Sequence, residues 1–527
     1  MANVRESCHC VRIQDLPEEI LERIMSFLSP YNDCKNASLV SRKWHRLMQG
    51  VTKQRQQAFF HAARSGSLTW SHKEYSGNSL LARCMHSACF VDGIMYMFGG
   101  MIPATANTHS GTCFCDLQML DLRDRTWTRL LATGQYPSPK AGASMVHHSG
   151  SLILYGGWAP PVPNPPHQPP IVFNDLHMYD ITRNHWRAVV TSVSPPPLAN
   201  HRASLLGDLM IIFGGSSGSR KKENDVWVFS LKSMTWNRME IDGKKPPARD
   251  KHIQVELDDG HILIIAGLGN LDKELHDVWM LDISEIPWCW REIEVKDKAH
   301  AAPKMFCHAA CKIDECVVFF SCSRTSSNSC RNLSSQMSTQ FRHRQLRDHP
   351  SPASQSHHST KLRGVETGSL KDLHPQVKRL CNKTNENSSQ NSEMNDSNLL
   401  SVRDSSAHTS NDSIPVGCPC SPGCTCKTPV TFKLSPVECR IAPNNLGFSS
   451  PLPSSIYHGE QQYVLDISRA VNASQVRWLE IPDQNVEHIP EALYPSMCVG
   501  RAQVIRFGGF HLDNRCPRAI NNQYYAY

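Results

Sequence analysis

Hydrophobic residues near the start of the chain recur with the period of an α-helix. Four apolar positions lie four residues apart and two more lie beside them: Leu16, Ile20, Ile24, Leu28, Leu21 and Phe27. Asp15 is placed to cap this helix, Pro17 lies in its first turn, and Ser29-Pro30 ends it. The pattern therefore predicts a short helix that begins at Asp15 and exposes one strongly apolar face.

A second helical pattern follows directly. One face carries Ala37, Val40, Trp44, Leu47 and Met48, and Gly50 marks its expected end. Two or three short helices cannot bury this much apolar surface by themselves. The segment is therefore either a helical cap packed on the next domain or a docking module whose apolar face is completed by another protein.

The rest of the chain changes to short apolar runs that end in glycine. The strings IMYMFGG, LILYGG, LMIIFGG and ILIIAGLG end their glycine turns at Gly100, Gly157, Gly215 and Gly267, between 52 and 58 residues apart. Each run is followed by an apolar strand with an acidic residue, and then by a strand that opens with a tryptophan: Trp127, Trp186, Trp236 and Trp290. Each unit is therefore predicted to be one four-stranded sheet that needs neighbouring sheets to bury its faces.

Two further units are incomplete in sequence. CHAACKIDECVVFFSC supplies two strands of a fifth unit, whose other strands, QYVLDI and VRWLEI, come far downstream. AQVIRFGGF and NNQYYAY supply a sixth unit that lacks its tryptophan strand. Residues 68–75, with Trp70, are predicted to complete it and to close a ring without open edges. Ala266 and Phe320-Ser321 replace the expected glycines, so the fourth and fifth units are expected to be irregular.

The segment 323–460 separates the two halves of the fifth unit. It is rich in Ser, Asn, His and Thr and almost free of aromatic residues before Phe432. Such a composition cannot bury enough apolar surface to fold, so a long disordered insertion is predicted. Residues 1–12 are predicted to be a flexible N-terminus.

The helical segment resembles an F-box, and the repeats resemble Kelch repeats. The F-box resemblance rests on Leu16, Pro17, Glu19, Leu21, Ile24, Phe27 and Leu28, followed by Ser38 to Trp44. Together with the late interruption, the order of motifs resembles the F-box-only subfamily with a split Kelch domain. This implies an α+β multidomain chain: an all-α F-box at 13–60, then an all-β six-bladed Kelch propeller formed by 61–322 and 461–527 around the insertion.

The resemblance also implies a function. The F-box would dock the S-phase-kinase-associated adaptor of an SCF-type, cullin-based ubiquitin ligase, and the propeller would capture a target protein for ubiquitination and proteasomal degradation. The implied adaptor-binding residues are Leu16, Pro17, Ile20, Leu21, Ile24, Leu28, Leu39, Val40 and Trp44. The alternative is a Kelch interaction scaffold that does not deliver targets for degradation.

Composition and motifs argue against several other classes of protein. A net charge of +7 over 527 residues does not indicate a nucleic-acid binder. The N-terminus has no secretory pattern and no apolar run is long enough to span a bilayer, so a cytoplasmic or nuclear protein with mostly free thiols is expected. No catalytic motif is present, and a non-catalytic receptor without cofactor is expected.

Two groups of residues could ligate a metal by residue type, but their spacing does not favour a metal site. Cys418, Cys420, Cys424 and Cys426 lack the usual Cys-x-x-Cys spacing of zinc sites. Histidines recur once per unit near the first strand: His86, His147, His201, His252 and His308. One histidine per unit suits structural hydrogen bonding better than one metal ion, so no metal site is predicted.

Basic residues mark a candidate substrate-binding rim. Loops between the second and third strands of a blade and loops between blades lie at the same end of a propeller, which would bring together Arg220, Lys221, Lys222, Lys244, Lys245, Arg249 and Lys251. This group is either ordinary solvated loop charge or a patch that binds an acidic or phosphorylated segment of a substrate. Trp158, just past the second double glycine, is a candidate apolar anchor at the same end.

Overall fold

The computed structural model describes residues 12–72, 75–78, 80–103, 111–161, 168–218, 221–308, 310–322, 460–482, 492–513, 516–519 and 523–526. All of them belong to one compact unit. The predicted insertion, apart from Glu460, lies outside the described residues, as do Arg220 and the four cysteines between 418 and 426.

The N-terminal domain consists of a 3₁₀ turn, Ile13–Asp15, and three helices: α1 Glu18–Met25, α2 Asn32–Ser38 and α3 Arg42–Ser65. Their shared core is formed by Leu21, Met25, Cys34, Ala37, Leu47, Met48 and Val51. The prediction that Asp15 caps the first helix was wrong, because Pro17 is the N-cap residue. A residue before proline avoids helical backbone angles, and Leu16 is extended at φ −69° and ψ 144°.

The second predicted helix is two helices, and Gly50 does not end it. Ser41 caps α3, since its side chain accepts a hydrogen bond from Trp44 N at 3.2 Å. Helix α3 continues through Gly50 to Ser65, where Gly66 ends it in a left-handed conformation. One internal glycine costs only about 1 kcal/mol, and packing of the flanking turns offsets this cost.

Six four-stranded antiparallel sheets follow. The first sheet contains β3 Ser87–Val91, β4 Ile94–Phe98, β7 Leu117–Asp121 and β8 Thr126–Leu130. The second contains β10 Ser144–His148, β11 Ser151–Tyr155, β14 Leu176–Asp180 and β15 His185–Val189. The third contains β16 Arg202–Leu206, β17 Leu209–Phe213, β20 Val226–Ser230 and β21 Thr235–Met239.

The other three sheets have longer strands or distant segments. The fourth contains β22 Ile253–Asp258, β23 His261–Leu268, β24 Glu274–Asp282 and β25 Cys289–Lys296. The fifth contains β26 Ala310–Ile313, β27 Cys316–Cys322, β28 Glu460–Asp466 and β29 Gln475–Trp478, with a short helix α4 Ala470–Ala473 before β29. The sixth contains β30 Ser496–Gly500, β31 Gln503–Phe507, β34 Gln523–Ala526 and, as its outer strand, β1 Trp70–His72.

The six sheets form a closed ring. The first strands of neighbouring sheets contact one another in the order β3, β10, β16, β22, β26 and β30, and β30 contacts β3. Four two-stranded ribbons extend the loops after the second strands. These ribbons are β5 Met101–Ile102 with β6 Thr112–Cys113, β12 Trp158–Ala159 with β13 Ile171–Val172, β18 Ser216–Ser217 with β19 Lys221–Lys222, and β32 Phe510–Asp513 with β33 Cys516–Ala519.

Aromatic residues fill the spaces between sheets. In most sheets the tryptophan of the outer strand packs on the aromatic residue at the glycine turn of the preceding sheet; Trp186 contacts Phe98 with ring centroids 5.5 Å apart. Trp478 instead packs on Phe319 of its own sheet, at 5.0 Å. The reason is that the fourth sheet has Ile265, not an aromatic residue, before its turn. The predicted irregularity is thus visible as a changed packing partner.

At three junctions between sheets, the chain that continues from an outer strand pairs in parallel with the outer strand of the next sheet. Strand β2 Ser76–Gly77 pairs with β8, strand β9 Thr133–Gly134 pairs with β15, and the end of β25 pairs with β29. Gly134 has φ +87°, and a Cβ there would lie 2.1 Å from the carbonyl oxygen of Trp186. Gly243 occupies the corresponding place after the third sheet with φ +88°, yet nothing lies within 4 Å of its Cβ position.

These two glycines give a matched test of the outer pairing. Both Gly134→Ala and Gly243→Ala incur the backbone cost of a positive φ, about 1–2 kcal/mol. Only Gly134→Ala also forces a clash with backbone, which adds about 1–3 kcal/mol. Urea unfolding is expected to show a larger loss of stability for Gly134→Ala than for Gly243→Ala. Equal losses would mean that β9 can shift relative to β15 without a cost in stability.

The propeller has two different ends. The turns between first and second strands and between third and fourth strands lie at one end, which we call the helical end because the N-terminal domain contacts it. Tyr31 packs against Gly93 in the β3–β4 turn, and Arg501 in the β30–β31 turn donates to Pro30 O at 3.3 Å. The opposite end holds the loops after the second strands and the connections between sheets, and we call it the glycine end.

Helix α3 belongs to the N-terminal domain and also packs directly against the propeller. Its last turns pack between the fifth and sixth sheets, where Phe59 and Ala63 share a core with Val318, Phe320 and Val504. Beyond this core, Arg64 forms an ion pair with Asp466 at 2.5 Å and Gln462 Nε2 donates to Ala63 O at 2.9 Å. The N-terminal domain is thus fixed to the helical end through a continuous helix.

Candidate functional site

The N-terminal domain exposes a stripe of apolar side chains along α1. Ile20, Ile24 and Phe27 follow helical spacing and are between 41% and 74% exposed, whereas Leu21 and Met25 on the other side of the helix are buried. Leu39 and Val40, in the turn between α2 and α3, are 75% and 62% exposed. So much exposed apolar surface on one small domain is characteristic of a protein interaction site.

The other predicted adaptor-binding residues lie in different environments. Pro17 is exposed. Leu16, Leu28 and Trp44 are half-buried against the core of the domain. Leu21 is only 1% exposed and lies inside that core, so its assignment to the docking surface needs correction: it shapes α1 from within.

A second group of exposed apolar residues lies on the propeller. All large apolar side chains of the described propeller that are exposed lie in loops of the glycine end: Leu81, Leu131, Tyr136, Ile171, Val190, Val193 and Leu271. Trp158 lies at this end too, half-buried in a cluster with Cys84, Met101, Ala141 and Phe510. The glycine end is therefore the candidate protein-binding end of the propeller, opposite the helical domain.

The residues of the predicted basic rim lie in two environments: some are exposed to solvent and others are buried. Lys221, Lys244 and Lys245 are exposed at the glycine end, and the first two form ion pairs with Glu223 and Glu292. Lys222 is 6% exposed and its Nζ lies 2.7 Å from Asp250 Oδ1 and 3.1 Å from Asp272 Oδ1. Lys222 therefore ties neighbouring sheets together and is not part of an open patch.

Arg249 also requires correction. It is fully buried, its Nη2 lies 2.7 Å from Asp277 Oδ2, and its Nη1 donates to Ala266 O at 2.9 Å. The pKa of Asp277 is lowered because these bonds from Arg249 outweigh the effect of burial. Arg249 is a structural residue that fixes the turn before β22 to the start of β24.

An equivalent hydrogen-bonded ion pair recurs in two other sheets. Arg83 bonds Asp116 at 2.6 Å and 3.1 Å, and Lys140 bonds Asp175 at 2.6 Å and 2.7 Å. In each case a basic residue ahead of the first strand holds the aspartate at the start of the third strand. Sequence reasoning noted the repeated acidic residue but missed its basic partner, although Arg83, Lys140 and Arg249 all lie six residues after a glycine.

Three of the five repeated histidines are packing residues. The other two form hydrogen bonds as predicted: His147 Nε2 accepts from Gly150 N at 3.2 Å, and His308 Nδ1 donates to Phe306 O at 2.9 Å. His86, His201 and His252 meet the aromatic residues Phe507, Tyr155 and Phe213 of the preceding sheets edge-on, at 5.4 to 5.5 Å. Burial lowers the pKa of His86 and of His201 to about 3, so both are neutral at physiological pH. For His86 the expected hydrogen bonding is not what the structure shows, since its ring nitrogens have no partner among the described residues.

A ring of backbone hydrogen bonds surrounds the axis at the glycine end. One residue per sheet, just ahead of the first strand, has φ between 55° and 64°: Met85, Gly142, Asn200, Lys251, Cys307 and Tyr494. Their amides donate to the preceding member of the ring at 2.6 to 3.2 Å at every junction except that between Lys251 and Cys307, where the structure gives no such bond. These six residues surround the axis of the ring of sheets at the glycine end.

The described part of the chain contains neither a cluster of metal ligands nor a membrane-spanning helix. There, no three His, Cys, Asp or Glu side chains come close enough together to hold a metal ion. No described helix has the length and apolar character needed to cross a bilayer.

Comparison with known families gives two matches within the chain. The family model described as "F-box-like" matches residues 13–50, and the model described as "FBX42, beta-propeller domain" matches residues 83–290. The first match lies within the helical domain, which extends to Ser65, and the second covers the first four sheets up to the start of β25.

Curated relatives match only part of their own length. Acyl-CoA-binding domain-containing protein 5 of Arabidopsis thaliana is 29% identical over 42% of this chain and 33% of the relative. Acyl-CoA-binding domain-containing protein 4 of the same plant is 26% identical over 42% of this chain and 32% of the relative. Kelch domain-containing protein 2 of Bos taurus is 27% identical over 45% of this chain and 60% of the relative. The chain thus spans about a third of the length of the first two relatives.

Proposed function

Because the chain is an F-box/Kelch-type protein with a propeller of the FBX42 type, we propose that it is the substrate-recognition subunit of an SCF-type ubiquitin ligase. The F-box binds the S-phase-kinase-associated adaptor and, through it, a cullin. The propeller binds a target protein, which is then ubiquitinated and degraded by the proteasome. The chain itself acts as a receptor and does not catalyse the transfer.

The observation that carries this proposal is the exposed apolar stripe of Ile20, Ile24 and Phe27. Ile20 and Ile24 lie on α1 and Phe27 in the turn directly after it, on the side away from the core of the domain, so they do not contribute to that core. The propeller does not cover them, because the domain contacts it through Pro30, Tyr31 and α3. A helical partner surface that buries the stripe would gain about 25 cal/mol for each Å² of apolar area.

The second half of the proposal follows from the position of the two apolar surfaces. The adaptor-binding stripe lies on the helical domain, and the exposed apolar loops lie at the glycine end. One chain can therefore hold both partners at once without competition between them. Holding the target in the same complex as the ubiquitin-carrying enzyme raises its effective concentration, which is how a receptor accelerates transfer.

The direct test is binding of the purified adaptor to the full chain. The triple variant Ile20→Asp, Ile24→Asp and Leu39→Asp places charges on the exposed stripe and its neighbouring turn. Since burying an unpaired charge at an interface costs several kcal/mol, affinity is expected to fall at least ~100-fold. The same variant, expressed in cells, is expected to lose both adaptor and cullin on affinity purification.

The matched control introduces the same kind of substitution, exposed apolar residue to aspartate, at the glycine end of the propeller. Leu131→Asp and Val190→Asp alter residues that are 74% and 94% exposed on the propeller, and they are expected to leave adaptor affinity unchanged. Equal adaptor binding by the wild type and the triple variant would contradict the proposal. If the adaptor binds but the half-life of a captured target does not lengthen on depletion of this protein, the chain is a non-degradative scaffold.

A further inference from the structure

The chain that arrives from the preceding sheet covers the outer edge of the second sheet with backbone hydrogen bonds. The amides of Thr133 and Gln135 donate to the carbonyl oxygens of Asn184 and Trp186, at 2.9 Å and 2.8 Å. Between these two amides lies Gly134, whose φ is +87°. The cover is therefore a Thr-Gly-Gln segment that runs parallel to β15.

The first sheet is covered in the same way. The amides of Ser76 and Asn78 donate to the carbonyl oxygens of Arg125 and Trp127, at 3.1 Å and 2.9 Å. Gly77 lies between them with φ +89°. Both edges thus accept an extended Ser/Thr-Gly-Asn/Gln segment, whose first and third amides donate to the carbonyl of the tryptophan and to the carbonyl two residues before it.

The outer strand of the third sheet, β21, has no such cover. Its register with β20 is the same as that of β15 with β14, which places the carbonyl groups of Met234 and Trp236 at the outer edge. Among the described residues, no amide donates to either carbonyl across this edge. Thr235 and Arg238 beside them are exposed. Strand β21 therefore presents an unpaired edge, to which an extended segment can be added.

One residue explains why the chain does not cover this edge itself. In both covering segments the glycine lies seven residues after the tryptophan of the preceding outer strand, but the residue seven positions after Trp186 is Val193. A Cβ at Gly77 or Gly134 would lie 2.2 Å or 2.1 Å from a tryptophan carbonyl oxygen, and valine also disfavours a positive φ. Val193 therefore cannot replace the glycine. It is 46% exposed, and its segment forms no pairing with β21.

The fourth sheet is a different case. The segment that approaches it keeps the glycine, since Gly243 has φ +88°. The next residue, Lys244, forms an ion pair with Glu292 of β25, so this segment already lies beside the edge of the fourth sheet. Among the described junctions, it is at the third sheet that the approaching chain has an unsuitable residue at the glycine position.

We propose that the outer edge of β21 binds an extended Ser/Thr-Gly-Asn/Gln segment of a partner protein, which pairs in parallel with this strand. The first and third amides of the segment donate to Met234 O and Trp236 O, and its glycine passes the tryptophan carbonyl with a positive φ. The site lies apart from the adaptor-binding stripe of the helical domain. The proposal therefore goes beyond the function proposed above and does not depend on it.

Side chains of the covering segments indicate what adds selectivity. The hydroxyl groups of Ser76 and Thr126 are 2.9 Å apart, and Thr235 occupies the position of Thr126 in β21. Gln135 Oε1 accepts from Ala188 N at 3.0 Å. The corresponding amide of β21 belongs to Arg238, two residues after the tryptophan. A hydroxyl residue before the glycine and a glutamine after it are therefore preferred.

The test uses the full-length protein and a fluorescent peptide with the sequence of residues 131–137, which contains the Thr-Gly-Gln segment. Fluorescence anisotropy measures its affinity, and a matched peptide carries valine in place of the glycine. The valine peptide is expected to bind at least ~10-fold more weakly, because it loses two backbone hydrogen bonds. The glycine peptide is expected to slow amide hydrogen exchange in residues 234–239, which identifies the edge that it occupies.

Two protein variants test the cause of the open edge. Val193→Gly restores the glycine, so the chain is expected to cover β21 itself and to lower peptide affinity at least ~10-fold. The amides of residues 192–194 are then expected to exchange more slowly than in the wild type. Val190→Gly makes the same substitution three residues earlier in the same exposed segment. It is expected to leave peptide affinity within about threefold of the wild type, because position 190 does not contact the edge.

Each contrary outcome overturns the proposal. Equal affinity for the two peptides, no binding of the glycine peptide up to about 1 mM, or unchanged affinity after Val193→Gly would show that β21 does not accept such a segment. Self-association of the wild type that Val193→Gly abolishes, without peptide binding, would assign the edge to a second copy of this chain. Adaptor affinity is measured on the same samples, so failure at β21 is distinguished from failure of the ligase proposal.

Discussion

Replacing Trp186 with alanine is expected to lower the free energy of unfolding by about 3–5 kcal/mol, the usual range for a large buried aromatic residue. The side chain is fully buried between the first and second sheets. It contacts Phe98 edge-on at 5.5 Å and Tyr179 at 5.1 Å. Its removal leaves a cavity that two rigid sheets cannot close. It also removes the packing that holds β15, the strand that pairs with β9.

Urea unfolding followed by circular dichroism measures this effect. Val190→Ala, four residues later on the same chain segment, is the control, because Val190 is 94% exposed and its truncation is expected to change stability by less than about 0.5 kcal/mol. A loss below about 1 kcal/mol for Trp186→Ala would mean that the sheets repack and that the tryptophan repeat does not hold neighbouring sheets together.

Replacing Arg249 with methionine is expected to cost about 3 kcal/mol, because breaking a buried ion pair leaves one charge without compensation. Arg249 is fully buried and bonds Asp277 through both Nη atoms, at 2.8 Å and 2.7 Å. The abandoned Asp277 side chain is 25% exposed, so water relieves part of the penalty. Thermal and urea unfolding of the purified chain measure the loss.

Two companion variants show whether the buried charge is the cause. Arg249→Met with Asp277→Leu removes both charges and is expected to be more stable than Arg249→Met alone. Lys244→Met removes one partner of an exposed pair with Glu292 and is expected to cost less than about 1 kcal/mol. If the double variant is no better than the single one, the lost hydrogen bond to Ala266 O, and not the orphaned carboxylate, carries the cost.

The repeats were sufficient to predict the propeller, and the F-box pattern was sufficient to predict the helical domain. Glycine turns and tryptophans recur because every sheet packs on its neighbour in the same way. The residues responsible for this packing therefore repeat along the sequence. Pro17 and Gly50 were interpreted wrongly because local rules for helix ends were applied where tertiary packing decided the boundaries.

The candidate sites were less predictable, and adjacent lysines show why. Lys221 and Lys222 have the same chemistry, but alternation along β19 exposes the first and buries the second against Asp250. Because that strand has only two residues, no pattern in the sequence reveals its register. The ring of backbone hydrogen bonds at the glycine end was equally hidden, since its six members share a backbone conformation and not a residue type.

The pairing of β1 with β34 has a consequence for the order in which the molecule is made. Strand β1 leaves the ribosome early, whereas its partner at 523–526 is synthesised after every other described strand. The first four sheets are contiguous in sequence and can form during translation. The edge that β1 later occupies does not yet exist, so β1 stays unpaired in the nascent chain until residues 523–526 have been synthesised. Ring closure therefore has to wait for this segment, and a chain interrupted before residue 523 would leave β1 without its partner strand.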